Sequence, residues 1–176
     1  MNQKQLETLQ KNNAESRDFV KSCFRFALMI ILKNKEDKTL TITRLCHIAG
    51  VSRTAFYRNY NSVDDVLEDE IKTFWLTLAG QIGTDVYENW LAFFKLVEKK
   101  REDLVAVLDA GFEQKFADVY RSLLPENEEN RFIQTIWLSC FLSLMVKWIK
   151  VPKPKKPEEM ARLAYKLTKD IPLAAE

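Results

Sequence analysis

The sequence predicts an all-α protein, and three observations carry that prediction. Glycine is scarce, with four in 176 residues. All five prolines lie at or beyond Pro125, so long helices can run through the first two thirds of the chain. Apolar residues recur at spacings of three and four, and no stretch reads as a convincing strand. With 47% hydrophobic residues the chain can bury a real core, as one domain or two small ones, and disorder is not expected.

A first amphipathic helix is expected from about Glu15 to Leu32, with Phe19, Cys23, Phe26 and Ile30 facing inward and "KNKEDK" ending it. Next comes "TITRLCHIAGVSRTAFYRNYN", residues 41 to 61. Ile42, Leu45 and Ile48 or Ala49 form one short apolar face, and Val51 and Phe56 form another. Gly50 stands where the first of these helices must stop and the chain must turn, a place where a left-handed backbone suits glycine. Thr41 and Ser52 are each placed to cap a helix N-terminus. Two helices of about two turns, joined by a turn containing glycine, make a helix-turn-helix. "NSVDD" starts another helix, running to about Ala79, with Ser62 as cap and Asp64 and Asp65 at the positive end of the dipole. On its polar face Glu68 and Lys72 form an i,i+4 pair.

"AGQIG" breaks the chain near residues 79 to 83. An aromatic-rich helix follows through Tyr87, Trp90, Leu91, Phe94 and Val97, and after a break at Lys99 to Glu102 comes "LVAVLDAGF". Gly111 divides that short helix from the next, Phe112 to Leu124, which "PENEEN" stops. The last two helices span about Asn130 to Lys150 and Pro157 to Lys169. The stiff linker "VPKPKKP" lies between them, and Pro157 suits a first helical turn because its missing N–H would be unpaired there anyway. The expected total is about nine helices.

Charge is unevenly spread. Residues 1 to 62 hold eleven Lys and Arg against five Asp and Glu, although the whole chain carries only +2. A basic first third suggests that this part meets a polyanion. From Thr39 to Val63, 25 consecutive residues contain no carboxylate. The three cysteines have no CxxC spacing and the only histidine is His47, so metal ligands are too few for a zinc site and reduced core thiols are expected. No cofactor motif, Gly-rich phosphate loop or catalytic constellation is present, which argues against an enzyme. The polar N-terminus has no secretory h-region, so a cytoplasmic location is expected. Phe132 to Ile149 approaches the length of a membrane span. Thr135, Ser139, Ser143 and Lys147 recur every fourth residue along it, however, so a helix with a close-packing face is expected and no membrane.

The stretch "TITRLCHIAGVSRTAFYRNYNSVDDVL" resembles the DNA-binding segment of the TetR family of bacterial transcriptional regulators. The matching residues are Thr41, Leu45, Ala49, Gly50, Val51, Ser52, Phe56, Tyr57, Tyr60 and Leu67. Cys46 replaces the family's usual Ala, a small-for-small exchange. Val63 stands where the family often has a Lys, so one phosphate contact is expected to be missing. The resemblance implies a three-helix DNA-binding domain over residues 1–62, including a polar N-terminal extension, and a helical effector-binding and dimerisation domain over residues 63–176.

In such a motif the second helix enters the major groove. Arg53, Thr54 and Ala55 are the candidates for base edges: Arg for guanine, and Thr and Ala for a thymine methyl. Tyr57 and Arg58 are candidates for phosphates, with Thr41, Arg44 and the capping Ser52 beside them. Phe56 is expected to be core with Tyr60 packed beside it, and His47 to be exposed and incidental. The resemblance further implies a homodimer through about residues 130–150 and 157–169. There Ser139 and Ser143 permit close approach, and Phe132, Ile136, Trp137, Phe141, Leu144, Met145 and Trp148 offer apolar area. The middle helices carry Phe74, Trp75, Tyr87, Trp90, Phe93, Phe94, Phe112, Phe116 and Tyr120. A pocket for a small apolar or aromatic effector is expected somewhere among them, with Phe74, Trp90, Phe94, Phe112, Phe116 and Trp137 as the candidates to line it. The function implied is a repressor released by such an effector. The alternative is a regulator whose C-terminal region binds a protein partner or coactivator.

Overall fold

A computed structural model of the chain describes residues 3–37, 39–124, 127–152 and 154–174, the first twelve of them by backbone alone. Nine helices and no strand occur among the described residues. They are α1 (Gln3–Lys33), α2 (Ile42–Ala49), α3 (Arg53–Tyr57), α4 (Val63–Ala79) and α5 (Val86–Lys99), then α6 (Arg101–Asp109), α7 (Glu113–Ser122), α8 (Glu128–Ile149) and α9 (Pro157–Thr168). Two compact units divide inside α4, after Glu70.

The first unit packs α1 against α2 and α2 against α3. Helix α1 begins well before the expected Glu15, because its early residues, though too polar to show an apolar period, are mostly good helix formers. The inward face of α1 differs from the expected Phe19, Cys23, Phe26 and Ile30. Phe24, Ala27, Leu28, Ile31 and Leu32 are buried, whereas Phe19 is 68% exposed, Phe26 67% and Ile30 42%; Cys23 is half-buried. Both sets recur at helical spacing, so α1 carries two apolar stripes. Only the first meets Leu45, Phe56 and Tyr60 in the core of this unit. Phe24 meets the Phe56 ring edge-on with centroids 5.3 Å apart and the Tyr60 ring at 6.0 Å.

In the second unit α5 packs along α9 and also meets α6 and α8. Its centre is Trp90, which is fully buried against Phe94, Trp137 and Phe141. Burial of an indole N–H without a partner is costly, and here it donates to Thr168 Oγ1 at 2.7 Å while that hydroxyl donates to the Ala164 carbonyl. The other three tryptophans donate likewise: Trp75 to the Phe116 carbonyl, Trp137 to that of Pro172 and Trp148 to that of Lys155. Arg101 lies over the Trp148 ring and donates to the Ile149 carbonyl at 3.0 Å, closing the C-terminal end of α8.

Helix α8 is long and apolar enough to cross a membrane by length and composition alone. Within this unit, however, Trp137, Leu138, Phe141, Met145, Trp148 and Ile149 form its buried side. That corrects the expected partner-facing set: Trp137, Phe141, Met145 and Trp148 are committed to their own core. Phe132 and Ile136 are exposed, as are Thr135, Ser139, Ser143 and Lys147. Pro157 opens α9, whose Glu159 carboxylate accepts from the Lys156 N–H. Pro125 and Glu126 of "PENEEN" and Lys153 of the proline-rich linker lie outside the described residues.

The register of α1 is open to test. Phe24→Ala is expected to lower stability by about 3–5 kcal/mol and Phe26→Ala to change it by less than about 0.5 kcal/mol, read from urea unfolding. The reverse order would place the other stripe inward.

Candidate nucleic-acid interface

Local sequence chemistry builds the turn between α2 and α3. Thr41 caps α2, its Oγ1 accepting the Arg44 N–H at 3.2 Å. Gly50 closes α2 with φ 65° and ψ 26°, the left-handed region. In that geometry the Val51 N–H reaches back to the Cys46 carbonyl at 3.1 Å, and the Gly50 N–H to that of His47 at 3.3 Å. No heavy atom crowds a Cβ built there, so backbone conformation alone makes glycine the suitable residue. Ser52 then caps α3, accepting the Ala55 N–H at 3.1 Å.

Helix α3 has five residues and turns one large side chain inward. Phe56 is fully buried, and Tyr60, just beyond the helix, is 4% exposed and lies 5.9 Å from it between ring centroids. Tyr57, on the other side, stands edge-on to Phe56 at 5.5 Å and remains 53% exposed. Arg53, Thr54 and Arg58 are exposed, and Ala55 is half-buried. The outward surface of α3 is therefore two guanidiniums, a hydroxyl and a phenol. His47 is exposed on α2.

Arg44 has a different setting. Its guanidinium pairs with the Asp37 carboxylate at 2.6 Å and donates to the Thr39 and Asp37 carbonyls at 3.2 Å each. Asp37 also accepts the Thr39 N–H, and this bond, with the Arg44 charge, holds its carboxyl below the usual range. Arg44 thus ties down the segment entering α2 with much of its hydrogen-bonding capacity engaged.

A polar cluster missed by sequence reasoning anchors the far end of α3. The Tyr60 hydroxyl donates to Asp69 Oδ2 at 2.7 Å, Arg25 Nη1 approaches the same oxygen at 2.7 Å and Lys21 Nζ lies 3.4 Å from Oδ1. Arg25 Nε also lies 3.4 Å from a Glu70 oxygen. Partial burial raises the Asp69 pKa, but the bonds from Tyr60 and Arg25 and the charges of Lys21 and Arg25 outweigh it, so the carboxyl sits below its usual range. Burial and the same bond push the Tyr60 phenol far up, so it remains a neutral donor. No spacing rule links Lys21, Arg25, Tyr60 and Asp69 in the sequence; only the fold brings them together. At the start of α4, Asp65 accepts from Ser62 and the Asn61 N–H, which lowers its pKa as well.

The second unit holds a cavity of about 400 Å³. Of the aromatic residues among which a pocket is expected, Trp75, Tyr120 and Trp137 line this cavity. Phe74, Trp90, Phe94, Phe112 and Phe116 do not. Phe74, Trp90, Phe94 and Phe116 are buried in ring-on-ring core contacts, and Phe112, half-buried, precedes α7. The walls come from the end of α4 and the segment after it, Asn89 of α5, Tyr120 of α7 and the segment that follows, the first two thirds of α8 and the segment after α9.

No family model matches the sequence, and no curated protein matches it. Among solved structures, the chain is similar to a TetR transcriptional regulator from Streptococcus agalactiae 2603V. The TM-score is 0.61 and the identity 15%, covering 94% of this chain and 99% of that one. At that identity the likeness is one of fold: the chain has the all-helical TetR-type fold.

Asp69 makes stability acid-sensitive. Its folded pKa lies below the unfolded one, so its contribution is present above the unfolded value and is lost as pH falls through the folded value. Between about pH 6 and pH 2 the urea midpoint is expected to fall, and to fall less in Asp69→Asn, which starts lower at pH 6. An equal acid loss in both proteins would assign the effect to other carboxylates.

Proposed function

We propose that this chain is a TetR-family, sequence-specific DNA-binding transcriptional regulator that acts in the cytoplasm as a homodimeric repressor released by a small-molecule effector. The observation that carries the reading is α3. A capped helix after a left-handed Gly50 turn presents Arg53, Thr54, Tyr57 and Arg58 outward, in a stretch without carboxylates from Thr39 to Val63. The fold shared with a TetR regulator supports it.

In this reading α3 enters the major groove. Arg53 takes guanine O6 and N7, Thr54 and Ala55 meet a thymine methyl, and Tyr57 and Arg58 hold phosphates. The caps Thr41 and Ser52 approach the backbone at the two helix N-termini. Arg44, engaged with Asp37, acts by positioning the segment before α2. With Val63 in place of a Lys, phosphate affinity rests on fewer cations.

The homodimer forms through the outer faces of α8 and α9, where Phe132, Ile136, Leu163 and Leu167 are exposed. The hydroxyls of Thr135 and Ser139 donate to the Arg131 and Thr135 carbonyls of their own helix, so close approach of a second helix strands no donor. The cavity supports the effector reading over the alternative of a protein partner, for which a closed, fully packed core would be the better support.

Arg53→Ala is expected to weaken binding to a specific duplex by about 1–3 kcal/mol and to relax sequence preference, whereas Arg58→Ala weakens binding to all duplexes alike. Fluorescence anisotropy on specific and scrambled duplexes separates the two. Unchanged affinity in both variants would remove α3 from the interface.

A further inference from the structure

The cavity of the second unit states what it can hold. About 400 Å³ is within the range of small-molecule sites. Its floor is Trp75, Leu78, Trp137 and Phe141, all buried, and Leu76 and Ile82 stand exposed at its mouth. Among the described residues lining it there is no Asp, Glu, Lys, Arg or His.

Its polar side chains are already engaged within the protein. Asn89 Oδ1 accepts the Gly83 N–H at 2.7 Å and its Nδ2 donates to the Gly83 carbonyl at 2.9 Å. The Tyr120 hydroxyl donates to Gln134 Oε1 at 2.7 Å, and Gln134 Nε2 donates to the Leu173 carbonyl at 3.0 Å. Burial pushes the Tyr120 phenol up to about 12, so it stays neutral. The indole N–H groups of Trp75 and Trp137 donate to the carbonyls of Phe116 and Pro172. A charged or strongly polar guest would shed its hydration and either go unpaired or break these bonds. An apolar guest loses nothing and covers aromatic surface.

One wall comes from the segment after α9. Trp137 holds the Pro172 carbonyl at 2.9 Å and Gln134 the Leu173 carbonyl at 3.0 Å, which pins Leu173 as part of the lining. We propose that this cavity takes an uncharged, largely hydrocarbon or aromatic molecule, enclosed in part by Leu173 of the segment that α8 pins. The inference rests on the effector reading of this unit and adds that the effector is uncharged, with Leu173 as part of its enclosure.

The test uses two probes with the same ring skeleton, uncharged N-phenyl-1-naphthylamine and its anionic 8-sulfonate, titrated into the full chain by fluorescence. Saturable binding of the neutral probe, one per chain, is expected, with the sulfonate weaker by about tenfold or more because its charge finds no partner. Leu76→Trp, at an exposed position on the mouth, is expected to weaken the neutral probe without disturbing the fold. Leu124→Lys, in the wall, is expected to shift preference toward the sulfonate. Equal affinity for both probes, with both weakened by Leu76→Trp, would overturn the neutral-ligand assignment. Absence of saturable binding, or binding indifferent to Leu76→Trp, would overturn the site. Probe binding is read without DNA, so either failure is distinguishable from a failure of the DNA-binding reading, which duplex anisotropy on the same preparation decides.

Discussion

A five-residue helix has barely more than one hydrogen-bonded turn and no stability of its own, so the direction in which α3 points rests on the side chain it buries, Phe56. Phe56 seats between Phe24 of α1 and Tyr60, and the ring contacts set the rotation of α3 about its axis. Once that rotation is set, Arg53, Thr54, Tyr57 and Arg58 have nowhere to go but outward. The local devices serve the same end. Gly50 turns the chain, Ser52 accepts the Ala55 N–H at the start of α3, and Tyr60 fastens the exit of α3 to Asp69.

Electrostatics follows from this arrangement. The stretch from Thr39 to Val63 has no carboxylate, and three that flank it in sequence are engaged within the first unit. Asp37 is paired with Arg44, Asp65 accepts from the N–H groups at the start of α4, and Asp69 is held by Arg25 and Lys21. Lys21, Arg25 and Arg44, basic residues that raise the charge of the first third of the chain, therefore spend their charge inside the unit. Arg53, in the first turn of α3, and Arg58, which caps its C-terminus, are exposed. A count of basic residues overstates the cation density available to a polyanion; their placement is what matters.

What the sequence reveals and what it hides divide along local and non-local physics. The Gly50 turn and the caps at Thr41, Ser52 and Ser62 were legible because each is made by bonds between residues at most five apart. The burial of Phe56 was legible from its place in the motif. The inward face of α1 was not, because Phe19, Phe26 and Ile30 repeat at the same helical period as Phe24, Leu28 and Ile31, and only the partner helices choose between them. Which aromatics line the cavity was hidden for a related reason. Packing alone decides that Phe74, Trp90, Phe94 and Phe116 close on neighbouring rings while Trp75, Tyr120, Trp137 and Phe141 meet aliphatic and amide side chains around the cavity. The engagement of Arg44 with Asp37 and of Arg25 with Asp69 depends on loop and interhelix geometry that no spacing announces.

The central claim is that α3 reads DNA as one of a symmetric pair. Selection from random duplex DNA by the full chain tests it most directly. Enrichment of a pseudo-palindrome whose half-sites are spaced by whole helical turns, about 10 base pairs or a multiple, is expected. Recovery of no enriched sequence at moderate salt, or of a single unpaired half-site, would contradict it.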